Sequence, residues 1–179
     1  NSTTALLTVV APVAITQDPS NVTITQGNTA TFSVGANGAG TLRYQWYKNS
    51  SNSTTGGSPI DGANQSSYTT PSQTTSDNGT YYYCKVTQSY GNATAEATSN
   101  TALLTVGTKA SITTQPSNVE VIEGKTNASF TTSVAGEGTI SYQWYKNESN
   151  SNSGGEKITN AINATYTIPA NEVTQDLNN

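Results

Sequence analysis

The stretch Arg43–Ile60 reads RYQWYKNSSNSTTGGSPI, and Ser141–Ile158 reads SYQWYKNESNSNSGGEKI. Both hold YQWYKN, an Asn- and Ser-rich run and a glycine pair, and Trp144 follows Trp46 by 98 residues. Two further matches keep almost the same spacing. DPSNVTI from Asp18 returns as QPSNVEV from Gln115, and TALLTV at Thr4–Val9 returns unchanged at Thr101–Val106, each 97 residues on. Self-similarity at one period marks a duplication, and it sets the organisation before any single element is read. The repeat is about 98 residues long.

Alternation gives the strands inside one repeat, because successive side chains of a strand point to opposite faces. Leu42, Tyr44 and Trp46 alternate with Arg43, Gln45 and Tyr47. Ala30, Phe32 and Val34 flank the polar Thr31 and Ser33. Tyr82, Cys84 and Val86 alternate with Tyr83, Lys85 and Thr87, Tyr68 sits in a short strand before Pro71, and Ala102, Leu104 and Val106 close the unit. Between these runs, NSSNSTTGGS and PSQTTSDNG carry turn chemistry. No helical period interrupts the pattern. Seven or so short strands in such a length predict an all-β, two-sheet sandwich.

Composition agrees. The 179 residues include 32 Thr, 21 Ser and 20 Asn, while charged residues are only 10%. Threonine with valine, isoleucine and tyrosine favours strands, and asparagine, glycine and serine favour turns. A pI near 4.6 with seven basic residues argues against nucleic acid or an anionic membrane surface as a partner. No apolar run approaches the length of a membrane span in this segment, and no signal-like segment opens it. Its start, NSTTALLTVV, reads as the middle of something. With no His and a single Cys, zinc and cysteine–histidine chemistry lose their usual ligands, and no disulfide forms within the chain. Asp61, Asp77, Glu120, Glu123 and Asp176 are scattered without the paired spacing of acid–base catalysis or the density of a calcium loop. The expectation is a protein that is not an enzyme and takes no cofactor or metal.

These residues resemble the immunoglobulin superfamily, in particular the bacterial-type immunoglobulin-like tandem repeats of large surface and fibre proteins. QWYKN around Trp46 resembles the third strand, whose Trp fills the core. Asp77, Gly79, Tyr82 and Cys84, in SDNGTYYYC, resemble the turn and sixth strand that carry the tyrosine corner. The spacing is one residue longer than usual, which suggests a looser turn. The resemblance places the first cysteine of a disulfide at Val34, with Val134 as the counterpart in the second copy, so Cys84 has no partner. It then reads as a small buried hydrophobe against Trp46. Stability without the crosslink falls to Phe32, Tyr44, Trp46, Tyr68 and Tyr82, and to Phe130, Tyr142, Trp144 and Tyr166, at about 2–3 kcal/mol per buried ring.

The expected organisation is an immunoglobulin-like domain at 11–106, a short linker at 107–110 and a second domain at 111–179 that lacks its sixth and seventh strands. A linker that short predicts end-to-end stacking. Residues 1–10 duplicate a last strand that the first domain already has. Either the sequence is a slice of a longer tandem array, or Ala5, Leu7 and Val9 supply the seventh strand of a neighbouring copy's second domain, head to tail, with the sixth strand coming from other sequence, covalently continuous or donated. Both give the same repeating contact.

Ten Asn-x-Ser/Thr sequons occur, at Asn1, Asn21, Asn49, Asn52, Asn64, Asn78, Asn92, Asn127, Asn147 and Asn163. Composition alone would give about six. Glycans are expected at several of these sequons, Asn49 and Asn147 among them, because those two are equivalent in the two copies; the alternative is that Asn and Ser simply make turns. Tyr47, Tyr81, Tyr83 and Tyr90 form either a sugar-binding patch or, as the preferred reading, cross-strand packing pairs. Function is expected to be that of a structural unit of an extracellular or cell-surface fibre, with copies of itself and glycans as partners. The alternative is an adhesin or carbohydrate-binding module.

Overall fold

The computed structural model describes residues 3–174, so the Asn1 sequon and Asp176 lie outside the described residues. The chain divides into two compact units between Thr108 and Lys109. Both are all-β, with two short 3-10 turns at Thr75–Asp77 and Ala170–Glu172.

Ten strands build unit 1: β1 (Ala14–Gln17), β2 (Val22–Thr25), β3 (Thr31–Ser33), β4 (Gly35–Asn37), β5 (Thr41–Asn49), β6 (Ser58–Pro59), β7 (Ser67–Thr69), β8 (Tyr81–Tyr90), β9 (Ala93–Thr98) and β10 (Ala102–Gly107). The count exceeds the expected seven partly because two runs change partner midway. At Val34 the chain passes from pairing with β7, as β3, to pairing with β1, as β4. At Ser99 it passes from the far half of β8, as β9, to its near end, as β10. One sheet runs β2-β10-β8-β5-β6 with β9 also on β8, and the ladders β1-β4 and β3-β7 form the other layer. The longest ladder joins β5 to β8, from Thr41 opposite Ser89 to Asn49 opposite Tyr81.

The core follows the alternation. Ala30, Phe32 and Val34 are buried while Thr31 and Ser33 are exposed. Tyr82 stacks on Phe32 with centroids 4.5 Å apart, and Tyr68 lies 6.4 Å from Trp46 and 6.0 Å from Tyr82. Trp46 has no exposed surface, and its indole N–H donates to the Gln65 carbonyl at 2.9 Å. Cys84 shares this core as an inert thiol, which burial pushes up to about 11. The turn before β8 is closed by Asp77, whose carboxylate accepts from the Thr74 N–H at 2.8 Å and its hydroxyl at 2.9 Å. Those bonds hold the Asp77 carboxyl below its usual range. Gly79 then takes φ +86°, a left-handed conformation that a side chain would strain. The extra residue is absorbed in a hydrogen-bonded turn.

Unit 2 comprises β11 (Ser111–Thr114), β12 (Ala128–Thr131), β13 (Ser133–Ala135), β14 (Tyr145–Lys146), β15 (Glu156–Lys157) and β16 (Thr165–Ile168). The pairs β11-β13, β12-β16 and β14-β15 repeat β1-β4, β3-β7 and β5-β6. Local detail repeats too: the Trp144 indole donates to Asn163 O at 2.8 Å, and Gln143 Nε2 bonds Trp144 O and Ile158 O as Gln45 bonds Trp46 O and Ile60 O. Among the described residues no strand corresponds to β8, β9 or β10. Two expectations are corrected here. Trp144 is only half-buried, because the strands that cover Trp46 have no counterpart over it. The residue equivalent to Val34 is Thr132, not Val134: Thr132 N bonds Ala164 O as Val34 N bonds Ser66 O, and Val134 pairs with Ile112 as Ala36 pairs with Ile15.

Candidate functional site

One hexapeptide occupies two environments. In β10, Ala102 and Leu104 have no exposed surface and Val106 keeps 3%. The strand lies parallel to β2, with Leu104 opposite Val22 and Val106 opposite Ile24, and antiparallel to the start of β8. Three side chains fasten it. Asn21 Oδ1 accepts from the Leu103 N–H at 2.8 Å, Asn78 Oδ1 accepts from the Val106 N–H at 2.9 Å, and the Thr101 hydroxyl donates to Asn52 Oδ1. The same TALLTV at Thr4–Val9 forms no strand, and Leu6, Leu7 and Val9 are 83–92% exposed. Alternating apolar residues in water lose what burial would contribute, about 1.5–3 kcal/mol for each large side chain.

Unit 2 leaves apolar residues uncovered in two separate places. A groove of about 500 Å³ is lined by Ile112, Pro116, Val134, Ile140, Tyr142 and Trp144, among others. Val119–Ile122, the counterpart of β2, is not a strand, and Val119 and Ile122 are exposed. Among the described residues no counterpart of β10 lies beside this equivalent of β2. Among the described residues, unit 2 thus leaves uncovered the edge that β10 covers in unit 1, and residues 4–9 leave exposed the sequence that forms β10.

The sequon asparagines fall into classes that sequence alone does not separate. Asn49 Nδ2 donates to Ser53 O at 2.9 Å and Thr55 O at 3.0 Å, and Asn147 Nδ2 donates to Ser151 O at 3.0 Å and Ser153 O at 2.9 Å. Both amide hydrogens are spent, so the repeated feature here is a loop clasp. Asn21, Asn52, Asn64, Asn78 and Asn127 instead accept through Oδ1, which leaves Nδ2 free. Asn92 and Asn163 are exposed. An N-glycan replaces one Nδ2 hydrogen and leaves Oδ1 unchanged, so only the second and third classes accept it without loss.

The outer tyrosines do not form one platform. Tyr47 and Tyr83 stack at 5.1 Å with planes 9° apart, and Tyr83 is 1% exposed because Gly57 closes against its ring. This is the preferred packing pair. Tyr81 and Tyr90 stand at opposite ends of β8, about 30 Å apart along the strand. Lys85 bridges to Glu96 at 3.1 Å beside the pair. Among the described residues no three His, Cys, Asp or Glu side chains gather as a metal would need, and no helix is long and apolar enough to cross a membrane.

A family model described as Immunoglobulin I-set domain matches residues 13–100. No curated protein matches the sequence. Among solved structures, the chain is similar to the I-band fragment I67-I69 from titin, at 13% identity and TM-score 0.57, over 94% of this chain and 58% of that one. An E-to-A variant of the same three-Ig fragment gives 15% identity and TM-score 0.54 over the same shares. Sidekick-1 immunoglobulin domains 1–5 give 19% identity and TM-score 0.49, over 79% of this chain and 29% of that chain. The chain thus spans 58% of the titin fragments' length. At such identities the likeness concerns fold.

Proposed function

We propose that this chain, whose first unit is an immunoglobulin-like domain of the I-set kind, is a structural repeat of an extracellular, glycosylated fibre or surface stalk, joined head to tail by strand complementation. The observation that carries the reading is the TALLTV duplication: one copy is buried in a sandwich, the other is bare, and among the described residues unit 2 has no such strand. Ala5, Leu7 and Val9 of one copy then take the place of Ala102, Leu104 and Val106 on unit 2 of the next. Donor and acceptor surfaces differ, so the contact does not close on itself and propagates linearly. Covering a bare edge also removes a template for indiscriminate pairing. The bacterial-type surface setting belongs to this same proposal, as does glycosylation at sequons with a free Nδ2, namely Asn21, Asn52, Asn64, Asn78, Asn92, Asn127 and Asn163. An adhesive, sugar-binding role is the weaker reading, because stacking and Gly57 cover the aromatic faces a sugar would need.

The test is electron microscopy of the full chain at rising concentration, beside a variant lacking residues 3–9. Filaments from the first and dispersed particles from the second are the expected pair. Filaments from both would refute donation by this segment.

A further inference from the structure

The duplication supplies a template for the contact down to single atoms. Unit 1 shows how TALLTV sits on an immunoglobulin-like unit, and the offsets of 97 and 98 residues carry each partner across. Leu103, whose N–H is held by Asn21, corresponds to Leu6, and Asn21 corresponds to Asn118. Thr101, whose hydroxyl is held by Asn52, corresponds to Thr4, and Asn52 corresponds to Asn150. Leu104 opposite Val22, Thr105 opposite Thr23 and Val106 opposite Ile24 become Leu7 opposite Val119, Thr8 opposite Glu120 and Val9 opposite Val121. The acceptors for the Leu6 N–H and the Thr4 hydroxyl both lie among the described residues, whereas Asn78 and β8 of unit 1 have no counterpart there. Asn118 and Asn150 are exposed, and neither amide bonds another described residue. Their duplicates Asn21 and Asn52 are both occupied.

Resting on the strand-complementation reading, we infer that Asn118 and Asn150 are register pins for the TALLTV segment of a second copy of this chain. Asn118 Oδ1 receives the Leu6 N–H, Asn150 Oδ1 receives the Thr4 hydroxyl, and the strand runs parallel to Val119–Ile122. Such pins are needed because the pattern itself discriminates poorly. A slip of two residues keeps Ala5, Leu7 and Val9 facing inward, and only a slip of one turns the apolar set outward. A two-residue slip would place Leu7 opposite Val121 and carry Leu6 and Thr4 away from both asparagines. The hydrogen bonds therefore do what the hydrophobic pattern does not. The unit with duplicate pins already satisfied, unit 1, is protected from accepting the segment by its own β10.

Cysteine pairs on the outward face test the register without opening the core. Thr8→Cys with Glu120→Cys places two thiols directly opposite, within the reach of a disulfide, and Thr8→Cys with Ile122→Cys is the shifted control. The buried Cys84 stays out of the oxidation. Assembled full-length chain, oxidised and run without reductant, is expected to give a covalent ladder for the 8/120 pair and monomers for the 8/122 pair. A ladder from 8/122 alone overturns the register while leaving donation standing. Monomers from both, with no filaments from the unsubstituted chain, overturn donation itself. Asn118→Ala adds a second reading: it should raise the concentration needed for assembly about five- to tenfold, as loss of one backbone hydrogen bond implies, and leave the unassembled chain's unfolding curve unchanged. Assembly of Asn118→Ala at the unsubstituted chain's concentration overturns that pin.

Discussion

Leu104 and Leu7 are the same residue of the same hexapeptide, and replacing each by alanine should have opposite consequences. Leu104 has no exposed surface and belongs to the core with Phe32, Trp46 and Val86. Its truncation removes buried methyl groups and leaves a cavity, at a cost of about 2–5 kcal/mol. Against a total of about 5–15 kcal/mol for a domain, that is a large share. Leu7 is 84% exposed, so Leu7→Ala should change the stability of the unassembled chain by less than about 0.5 kcal/mol. Assembly reverses the order. If Leu7 enters unit 2 of a neighbour as Leu104 enters unit 1, its truncation costs the joint at least about 2 kcal/mol, or roughly thirtyfold in dissociation constant. Urea titration with hydrogen exchange read separately for the two units gives the first pair of values, and sedimentation across a concentration series gives the second. Equal destabilisation of the unassembled chain by both substitutions would show that residues 3–9 pack on their own unit. Unchanged assembly by Leu7→Ala would show that they donate nothing.

Two more outcomes follow from unit 1 and its loops. Burial pushes the Cys84 thiol from 9.0 to about 11 and the Tyr82 hydroxyl from 10.0 to about 12. Both lose protons more readily when unfolded, so stability is fully present below pH 9 and falls as pH rises, by about 2–3 kcal/mol between pH 9 and 11 for Cys84 alone. Unfolding curves across pH 8–12 check this, and Cys84→Ala should remove the first part of the slope. Asn49→Asp keeps the shape of the side chain but turns the donor facing Ser53 O and Thr55 O into an acceptor, costing about 1–2 kcal/mol of local loop stability. Proteolysis within residues 50–57 should accelerate, and glycopeptide mapping of native material should find Asn49 and Asn147 bare; a glycan on either in folded protein would refute the clasp.

Much of the fold was legible because it is written in local alternation. The buried sets Ala30–Phe32–Val34, Tyr82–Cys84–Val86 and Ala102–Leu104–Val106 are the ones the pattern names. The strand count was not legible, since β3 and β4 are one run divided by a change of partner, and partners are tertiary information. Tyr83 escaped for the same reason. Alternation puts it on the outer face, yet Tyr47 and the closure of Gly57 bury it. The equivalence of Val134 to Val34 failed because two valines invite alignment, whereas the hydrogen bonds of Thr132 mark the true position. The clasp of Asn49 and Asn147 shows the limit most sharply. A sequon and a loop-closing amide have the same letters, and only the direction of the hydrogen bonds separates a free Nδ2 from a spent one.

YQWYKN and TALLTV carry the same lesson into function. YQWYKN belongs to a nine-residue strand in unit 1 and contributes two strand residues in unit 2, because β5 has β8 beside it and β14 does not. TALLTV is a buried strand beside β2 and β8 and irregular at the start of the chain. Identical residues cannot differ in intrinsic preference, so the difference lies wholly in the partner. A strand is half of an interaction, and the proposed contact brings together two halves, residues 4–9 of one copy and the exposed edge of unit 2 in another. The apolar residues of the first half are as regular as those of β10, and the asparagines of the second stand where the pins of β10 stand. Regular alternation has no use in a solvated segment, and surface positions do not need to repeat the contacts of a buried strand. Under the proposed donation both features have a use, because each half then meets its counterpart in another copy.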